Sequence, residues 1–398
     1  MSRLKYAVVL ASGMADAPIR EFSDRTPVEA AHTPALDELA REGKTGGMDP
    51  IPADLPPSEE VALLSAFGYD PKRYFTGEAC LVCADEGIKL DEGQRAFVHN
   101  LATEADGRLI DPAAGHITPK EAEALLRSLS GALGQPDATF RVGRGFAGVT
   151  VLPGEEEGPP ACLAPEQALG EHLKTSLPRG PGSEALHSLV ALSREVFAEH
   201  DINRVRADLG ENPANVLWPW GPGTPPSLPP FQLVRQMTGA VVAAPGPARG
   251  LARLTGMAAP DVTGATGCPR TNYAAKAATA LDLLDRHDLV AIHVAAPAEA
   301  ALAGDLAGKA RSIEDMDAMI LAPLLQRAKE SGNLRILVVA THIACAQEQK
   351  RRRGPVPIAM FGPGLESVRH GAFREAAAKD GELTIAPGHE MLAYFLRA

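Results

Sequence analysis

The order of elements along the chain predicts an α/β protein, with a largely parallel sheet covered by helices on both faces and a small α+β unit interposed. Three observations carry that prediction. Apolar, partly β-branched runs recur at YAVVLA, DLVAIHVAAP and LRILVVATH, and short continuous apolar runs fit strands buried on both faces. Strongly helical stretches, TNYAAKAATALDLLDRHD and SIEDMDAMILAPLLQRAKE, stand between such runs, and alternation of helix and strand makes parallel sheets. Between residues 88 and 177 the character changes to KLDEGQRAFVHNLATE, TPKEAEALLRSLSGAL and FAGVTVLPG, read as strand, helix and strand.

Each element has a local reason. The first strand runs to about Ala11 and breaks at Gly13 into a loop, and ligands of open α/β sheets sit just past such strand ends. A helix is expected from Pro27 to Glu42, because Val28, Ala31, Leu36, Leu39 and Ala40 fall on one side. The acidic, Pro-rich EEEGPPACLAPEQ reads as the exit from the interposed unit. SEALHSLVALSREVFAEH then resumes the helical pattern. The spacing of Pro and Gly in NPANVLWPWGPGTPPSLPPF excludes regular secondary structure there, with Trp218 and Trp220 packed against the core.

Composition narrows the function classes. A chain of 398 residues, 45% hydrophobic, exceeds what one core usually supports, so two domains are expected. A formal charge of -11 repels polyphosphates, and the only tight basic run, Lys350 to Arg353, reads as a solvated loop, so no nucleic-acid partner is expected. Five cysteines, an odd number scattered over the chain, argue for a reducing compartment and a cytoplasmic location. Cys80 and Cys83 have metal-knuckle spacing without a second pair, and read as buried thiols. The apolar run Ala7 to Ala11 is too short for an export signal, although Ala15-Asp16-Ala17 mimics a cleavage site, and no stretch approaches the ~20 apolar residues of a membrane span.

Six further segments occur in a telling order: VVLASGMAD; PPSEEVALLSAFGYDP followed by YFTG; DPAAGHIT; ENPANVLWPWGPGTPPSLPPF; GATGCPRTNYAAKAATAL; and HVAAPAEAALAGD. Together they resemble the archaeal-type 2,3-bisphosphoglycerate-independent phosphoglycerate mutases of the alkaline phosphatase superfamily, over nearly the whole chain. The resemblance implies an alkaline-phosphatase-like core of residues 1–87 and 178–398 and an inserted cap domain of residues 88–177. It also implies two divalent metals, such as manganese or zinc, and a serine nucleophile that becomes phosphorylated and returns phosphate to glycerate. A serine hydroxyl is a weak nucleophile near neutral pH, and a dication makes its alkoxide available while neutralising the transferring phosphoryl group.

Carried across residue by residue, that machinery is largely replaced. The family's Gly-Asp-Gly, whose aspartate binds metal, is Ala11-Ser12-Gly13 here. Its Pro-Pro-Gly-Ser-Asp segment corresponds to Pro56-Pro57-Ser58-Glu59-Glu60, which puts Glu59 at the nucleophile's place. Ala298 and Leu302 stand where an aspartate and a histidine would bind metal, Thr341 replaces the aspartate of an Asp-His pair, and Arg351 takes the place of a further histidine. Only His342 keeps its residue. Glu78 and Arg270 replace an arginine and an aspartate elsewhere in the family pattern. Ligands have become apolar or neutral while a cation has appeared, which offsets the missing metal charge and avoids a cluster of repelling carboxylates.

The expectations are accordingly a pocket with vestigial positions Ser12, Glu59, Ala298, Leu302, Thr341, His342 and Arg351, no catalytic residue, no bound metal and no cofactor. Glu59 is expected to pair with Arg351 or another arginine. Glu59 as a carboxylate nucleophile is the sharper alternative, and His342 with Glu59 and Glu299 offers only a thin single-metal set. Ser12, Ser58 and Ser65 are the remaining nearby hydroxyls, without a visible base. His116, Asn272 and Lys276 lie in well-matched segments, where they meet a phosphate or carboxylate ligand or serve helix capping and packing. The function implied is that of a degenerate mutase homologue acting in binding or regulation, with a phosphorylated or carboxylate small molecule or a paralogous mutase as partner. The alternative is a working mutase or a related phosphotransferase, for example homoserine-kinase-like, with an altered site.

Overall fold

In the computed structural model, which describes residues 3–134, 138–143, 145–154, 158–367, 369 and 371–397, β1 (Lys5–Ala11) is buried at every position but its first. β2 (Lys44–Met48) follows. The chain then leaves for a second unit containing β3 (Gln94–Ala105), β4 (Arg108–Asp111), β5 (Thr139–Val142), β6 (Ala147–Pro153) and β7 (Val216–Gly223). It returns through β8 (Gly239–Val242), β9 (Leu289–Val294), β10 (Leu334–Ala340), β11 (Ile343–Cys345), β12 (Lys350–Arg352), β13 (Val356–Phe361) and β14 (Leu383–Ile385). The two compact units are Met1–Phe75 with Ser227–Ala398, and Thr76–Pro226.

The first unit is built on a seven-stranded sheet in the order β14-β2-β13-β10-β1-β9-β8. β1 pairs in parallel with β10 and β9, β9 with β8, and β14 with β2, while β13 runs antiparallel to β10 and β2. The largely parallel sheet expected from sequence is present. Every residue of β8, β9 and β10 is buried, and because side chains alternate along a strand, both faces of these strands must be covered. Helices Pro34–Glu42, Tyr273–Arg286 and Ala322–Ser331 pack on β13, β9 and β10.

One expected helix is two. The stretch from Pro27 to Glu42 forms Pro27–Ala30 and Pro34–Glu42, since Pro34 lacks an N–H and pushes Thr33 out of the helical region, to φ -129° and ψ 62°.

The second unit centres on β3, which pairs antiparallel with β4, β6 and β7. Helix Pro119–Leu133 begins in a capping box of Thr118 and Glu121. Its Leu125, Leu126 and Leu129 share a core with Leu101, Leu189, Phe197 and Leu217. Two expectations need correction here. The Trp-Pro segment is not irregular, because Val216–Gly223 is a strand, and its prolines do no damage beside β3 alone. The unit is also wider than residues 88–177: helix Ala79–Asp85 packs on β3 and β7, and helix Ser183–Ala198 packs on β7. The Glu155–Glu157 part of the expected exit lies outside the described residues. Trp218 and Trp220 pack in this unit, their indole N–H groups donating to Leu163 O and Asn100 Oδ1.

Cys80 and Cys83 are buried free thiols, and burial pushes the Cys83 thiol up to about 12. Among the described residues no helix is long and apolar enough to cross a membrane.

Candidate functional site

The carboxyl ends of β1, β9 and β10 lie side by side in register, with Leu10 opposite His293 and Val339. Just past these ends the backbone stays tied, Ser12 N–H donating to Val294 O and Thr341 N–H to Ala11 O. Gly13 then turns with φ +60°, and a Cβ built there would stand 2.6 Å from Ala298 Cβ and 2.8 Å from Ala344 Cβ. Close approach and left-handed backbone both demand glycine.

Helix Glu59–Ala66 brings a carboxylate to this edge. Its N-cap is Ser58, whose side chain accepts from Val61 N–H, so Glu59 occupies the first helical position, where the helix dipole favours an anion. Ser12 Oγ donates to Glu59 Oε1 at 2.7 Å. His293 Nε2 approaches the same oxygen at 2.8 Å. Ser12 is fully buried, and the Glu59 side chain is 13% exposed. Burial alone would push this carboxyl up, but the His293 imidazole 2.8 Å away and the Arg351 charge hold it well below the usual carboxylate range.

His342 follows β10 and is fully buried. Its Nδ1 lies 3.1 Å from Thr341 Oγ1, and no donor or acceptor among the described residues satisfies Nε2. Burial first, and then the Arg351 charge, lowers this imidazole to about 3. It is neutral at physiological pH. Arg351 sits on β12, directly across from Ala344 of β11. Behind the cluster, the buried Lys276 Nζ donates to His293 O at 3.1 Å, and burial pushes its ammonium down to about 8.

A second buried pair fixes the loops that carry these groups. Lys309 Nζ, with no exposure, donates to Asp16 Oδ2 at 2.8 Å, Ala344 O at 2.7 Å and Ala15 O at 3.3 Å. Asp16 Oδ2 also accepts from Ala346 N–H, and Glu375 accepts from Asp16 N–H and from Thr26. The loop after β1 is thereby tied to β11, which pairs with the strand of Arg351.

Sequence reading therefore places Ser12, Glu59, Thr341, His342 and Arg351 in one region, and the structure brings Ala298 beside Gly13. Leu302 closes the same short helix, Ala296–Leu302, one turn further on and partly exposed. Ser12 Oγ and His293 Nε2 lie 2.7 and 2.8 Å from Glu59 Oε1, and the Arg351 charge also acts on this carboxylate, as expected of an arginine beside it. Asn272 is exposed and caps helix Tyr273–Arg286, its Oδ1 accepting from Ala275 N–H. Ser65 donates to Pro50 O. His116 belongs to the second unit, exposed, with φ 57° and its ring edge against Phe146. His293 was not among the expected site residues. The one visible signal for it was a single histidine inside the otherwise apolar run VAIHVAA.

Comparison with known proteins places this geometry. The profile of the family described as 2,3-bisphosphoglycerate-independent phosphoglycerate mutase matches residues 40–203. A protein of that name from Methanosarcina barkeri is 36% identical over 397 residues, covering 99% of this chain and 100% of its own. The chain belongs to the archaeal-type 2,3-bisphosphoglycerate-independent phosphoglycerate mutase family. Among solved structures, the PH0037 protein of Pyrococcus horikoshii superposes with a TM-score of 0.79 at 26% identity, covering 100% of this chain and 97% of that one. The cofactor-independent phosphoglycerate mutase of Thermoplasma acidophilum superposes at 0.58, also at 26% identity, covering 99% of both chains. Within this family the cluster at the ends of β1, β9 and β10 is the natural place to look for chemistry, because the sheet's topology puts it there.

Chemically, the arrangement is not a hydrolytic triad. In such a triad the imidazole stands between hydroxyl and carboxylate and takes the hydroxyl proton. Here the carboxylate stands between Ser12 and His293, both on Oε1. A carboxylate held so firmly ionised is also a weak base.

Proposed function

We propose that this chain is a degenerate member of the mutase family that serves as a binding or regulatory protein and does not carry out phosphoryl transfer through a phosphoserine. The reading is supported by the family resemblance, which implies that Glu59 takes the nucleophile's place, and by the position of Glu59 Oε1, 2.7 Å from Ser12 Oγ and 2.8 Å from His293 Nε2. A carboxylate held so firmly ionised is a weak nucleophile, unlike the alkoxide that a dication makes of a serine hydroxyl.

The two dications of the family do not fit the residues present. Ala298 and Leu302 offer no donor atom, Thr341 is neutral, and Glu59 Oε1 already meets a hydroxyl and an imidazole. Among the described residues no group of three or more His, Cys, Asp or Glu side chains could hold a metal ion. Hard dications want several oxygen ligands, and transition metals want a set of imidazoles and carboxylates in fixed geometry. Partners that suit the reading are a phosphorylated or carboxylate small molecule and a paralogous mutase.

A second reading is a working mutase, or a related phosphotransferase of the homoserine-kinase type, with an altered site. It is favoured by 36% identity, over nearly the whole chain, to a protein named as a mutase. Metal analysis of the purified chain, with a coupled assay on 3-phosphoglycerate in added manganese or cobalt, separates the two. The proposal expects substoichiometric metal and no saturable turnover. Two metals per chain with saturable turnover establish the second reading instead.

A further inference from the structure

At the edge of the first unit, hydrogen-bond donors and a cation converge on the Glu59 carboxylate. Ser12 Oγ–H and His293 Nε2 meet Glu59 Oε1 at 2.7 and 2.8 Å, the Arg351 charge acts on the same carboxylate, and the neutral His342 imidazole follows the end of β10 beside them. The carboxylate also stands at the first position of an eight-residue helix, where backbone N–H groups favour negative charge. Buried lysines brace the donors from behind: Lys276 through His293 O, and Lys309 through Ala344 O opposite Arg351. Two buried imidazole nitrogens, His293 Nε2 and His342 Nε2, complete no hydrogen bond among the described residues, the first standing 2.8 Å from the carboxylate. Donors and cations closing on one tethered carboxylate are the makings of an oxyanion site.

We infer that Glu59 is a built-in anion occupying an oxyanion site formed by Ser12, His293, His342 and Arg351, so that the native chain closes this site to free tetrahedral anions with its own side chain. The site is within reach of solvent, since the Glu59 side chain keeps 13% of its exposure, and shortening that side chain opens room beside the donors. No covalent step is involved. The inference rests on the reading of a non-catalytic pocket, but the two fail separately: turnover of 3-phosphoglycerate by the native chain sinks that reading, whereas this inference concerns anion binding by variants.

The test is calorimetric titration of the native chain, Glu59→Ala and Glu59→Gln with inorganic phosphate at low salt. Removing a like charge from the centre of the site is expected to tighten phosphate binding by on the order of 100-fold in Glu59→Ala. The double variant Glu59→Ala with Arg351→Ala is expected to lose that gain. Glu59→Gln keeps the bulk and removes the charge, and is expected to show a smaller gain, read also as a phosphate-dependent rise in melting temperature that the native chain lacks. A Glu59→Ala protein that melts cooperatively yet binds phosphate no more tightly than the native chain overturns the inference. So does a native chain that binds phosphate as tightly as the variant. Should Glu59→Ala not fold, equal phosphate responses of Glu59→Gln and the native chain overturn it.

Discussion

Replacing Lys309 by methionine isolates the buried pair that ties the loop after β1 to β11. Lys309 has no exposure and the Asp16 side chain only 2%, and the ammonium serves Asp16 Oδ2 and the carbonyls of Ala15 and Ala344. Burial pushes this ammonium down while the Asp16 charge pulls it back, so the charged form depends on its partner. Methionine fills similar volume but strands the Asp16 carboxylate, which keeps the Ala346 and Ala17 N–H groups as its donors among the described residues, and takes a donor from two carbonyls. Breaking a buried pair from one side costs about 3–5 kcal/mol. For a unit of this size that is a fall in melting temperature of about 10 °C, at 2–4 °C per kcal/mol. Thermal unfolding followed by calorimetry reads it, and the double variant Asp16→Asn with Lys309→Met is expected to recover at least half. A single variant melting within about 2 °C of the native chain refutes the reasoning.

Other outcomes follow from the same geometry. His342 is held neutral with its proton affinity lowered to about 3, so below about pH 6.5 the unfolded chain binds a proton that the folded chain refuses. Stability then falls with pH, by about 2 kcal/mol between pH 6.5 and 5 from this group, and urea titrations of native and His342→Gln proteins should differ in slope by that much. For Lys276, lowered to about 8, the unfolded chain holds a proton that the folded chain loses between about pH 8 and 10.5. This group contributes a rise in stability of about 3 kcal/mol across that window, absent in Lys276→Met. Gly13→Ala forces a left-handed alanine against Ala298 and Ala344 and is expected to cost about 3 kcal/mol, measurable by urea midpoint.

Much of the first unit was legible because its strands are buried on both faces: LRILVVA and LVAIHV carry no competing pattern, and the helices between them are strongly periodic. Where proline intervened, the reading erred in both directions. Pro34 split a helix that the apolar spacing had joined, while Pro219 and Pro222 were tolerated in β7, where pairing with β3 overrides local preference. The unit boundary was misjudged for the same reason, since β7 is recruited to β3 from more than a hundred residues away. At the site, Ser12, Glu59, His342 and Arg351 were found through the positions they share with a family pattern. His293 and the Asp16–Lys309 pair were not, because an isolated histidine or lysine in an apolar stretch shows its partner only once the fold brings the two together.

The central claim is that the ester-forming hydroxyl of the family has been replaced by a carboxylate already held by Ser12 and His293. Incubation of the purified chain with 3-phosphoglycerate and manganese, followed by acid quench and intact-mass measurement, tests it most directly. The account predicts an unmodified mass at every time point. A stoichiometric phosphoryl adduct, mapped to Ser12 or Glu59, contradicts it.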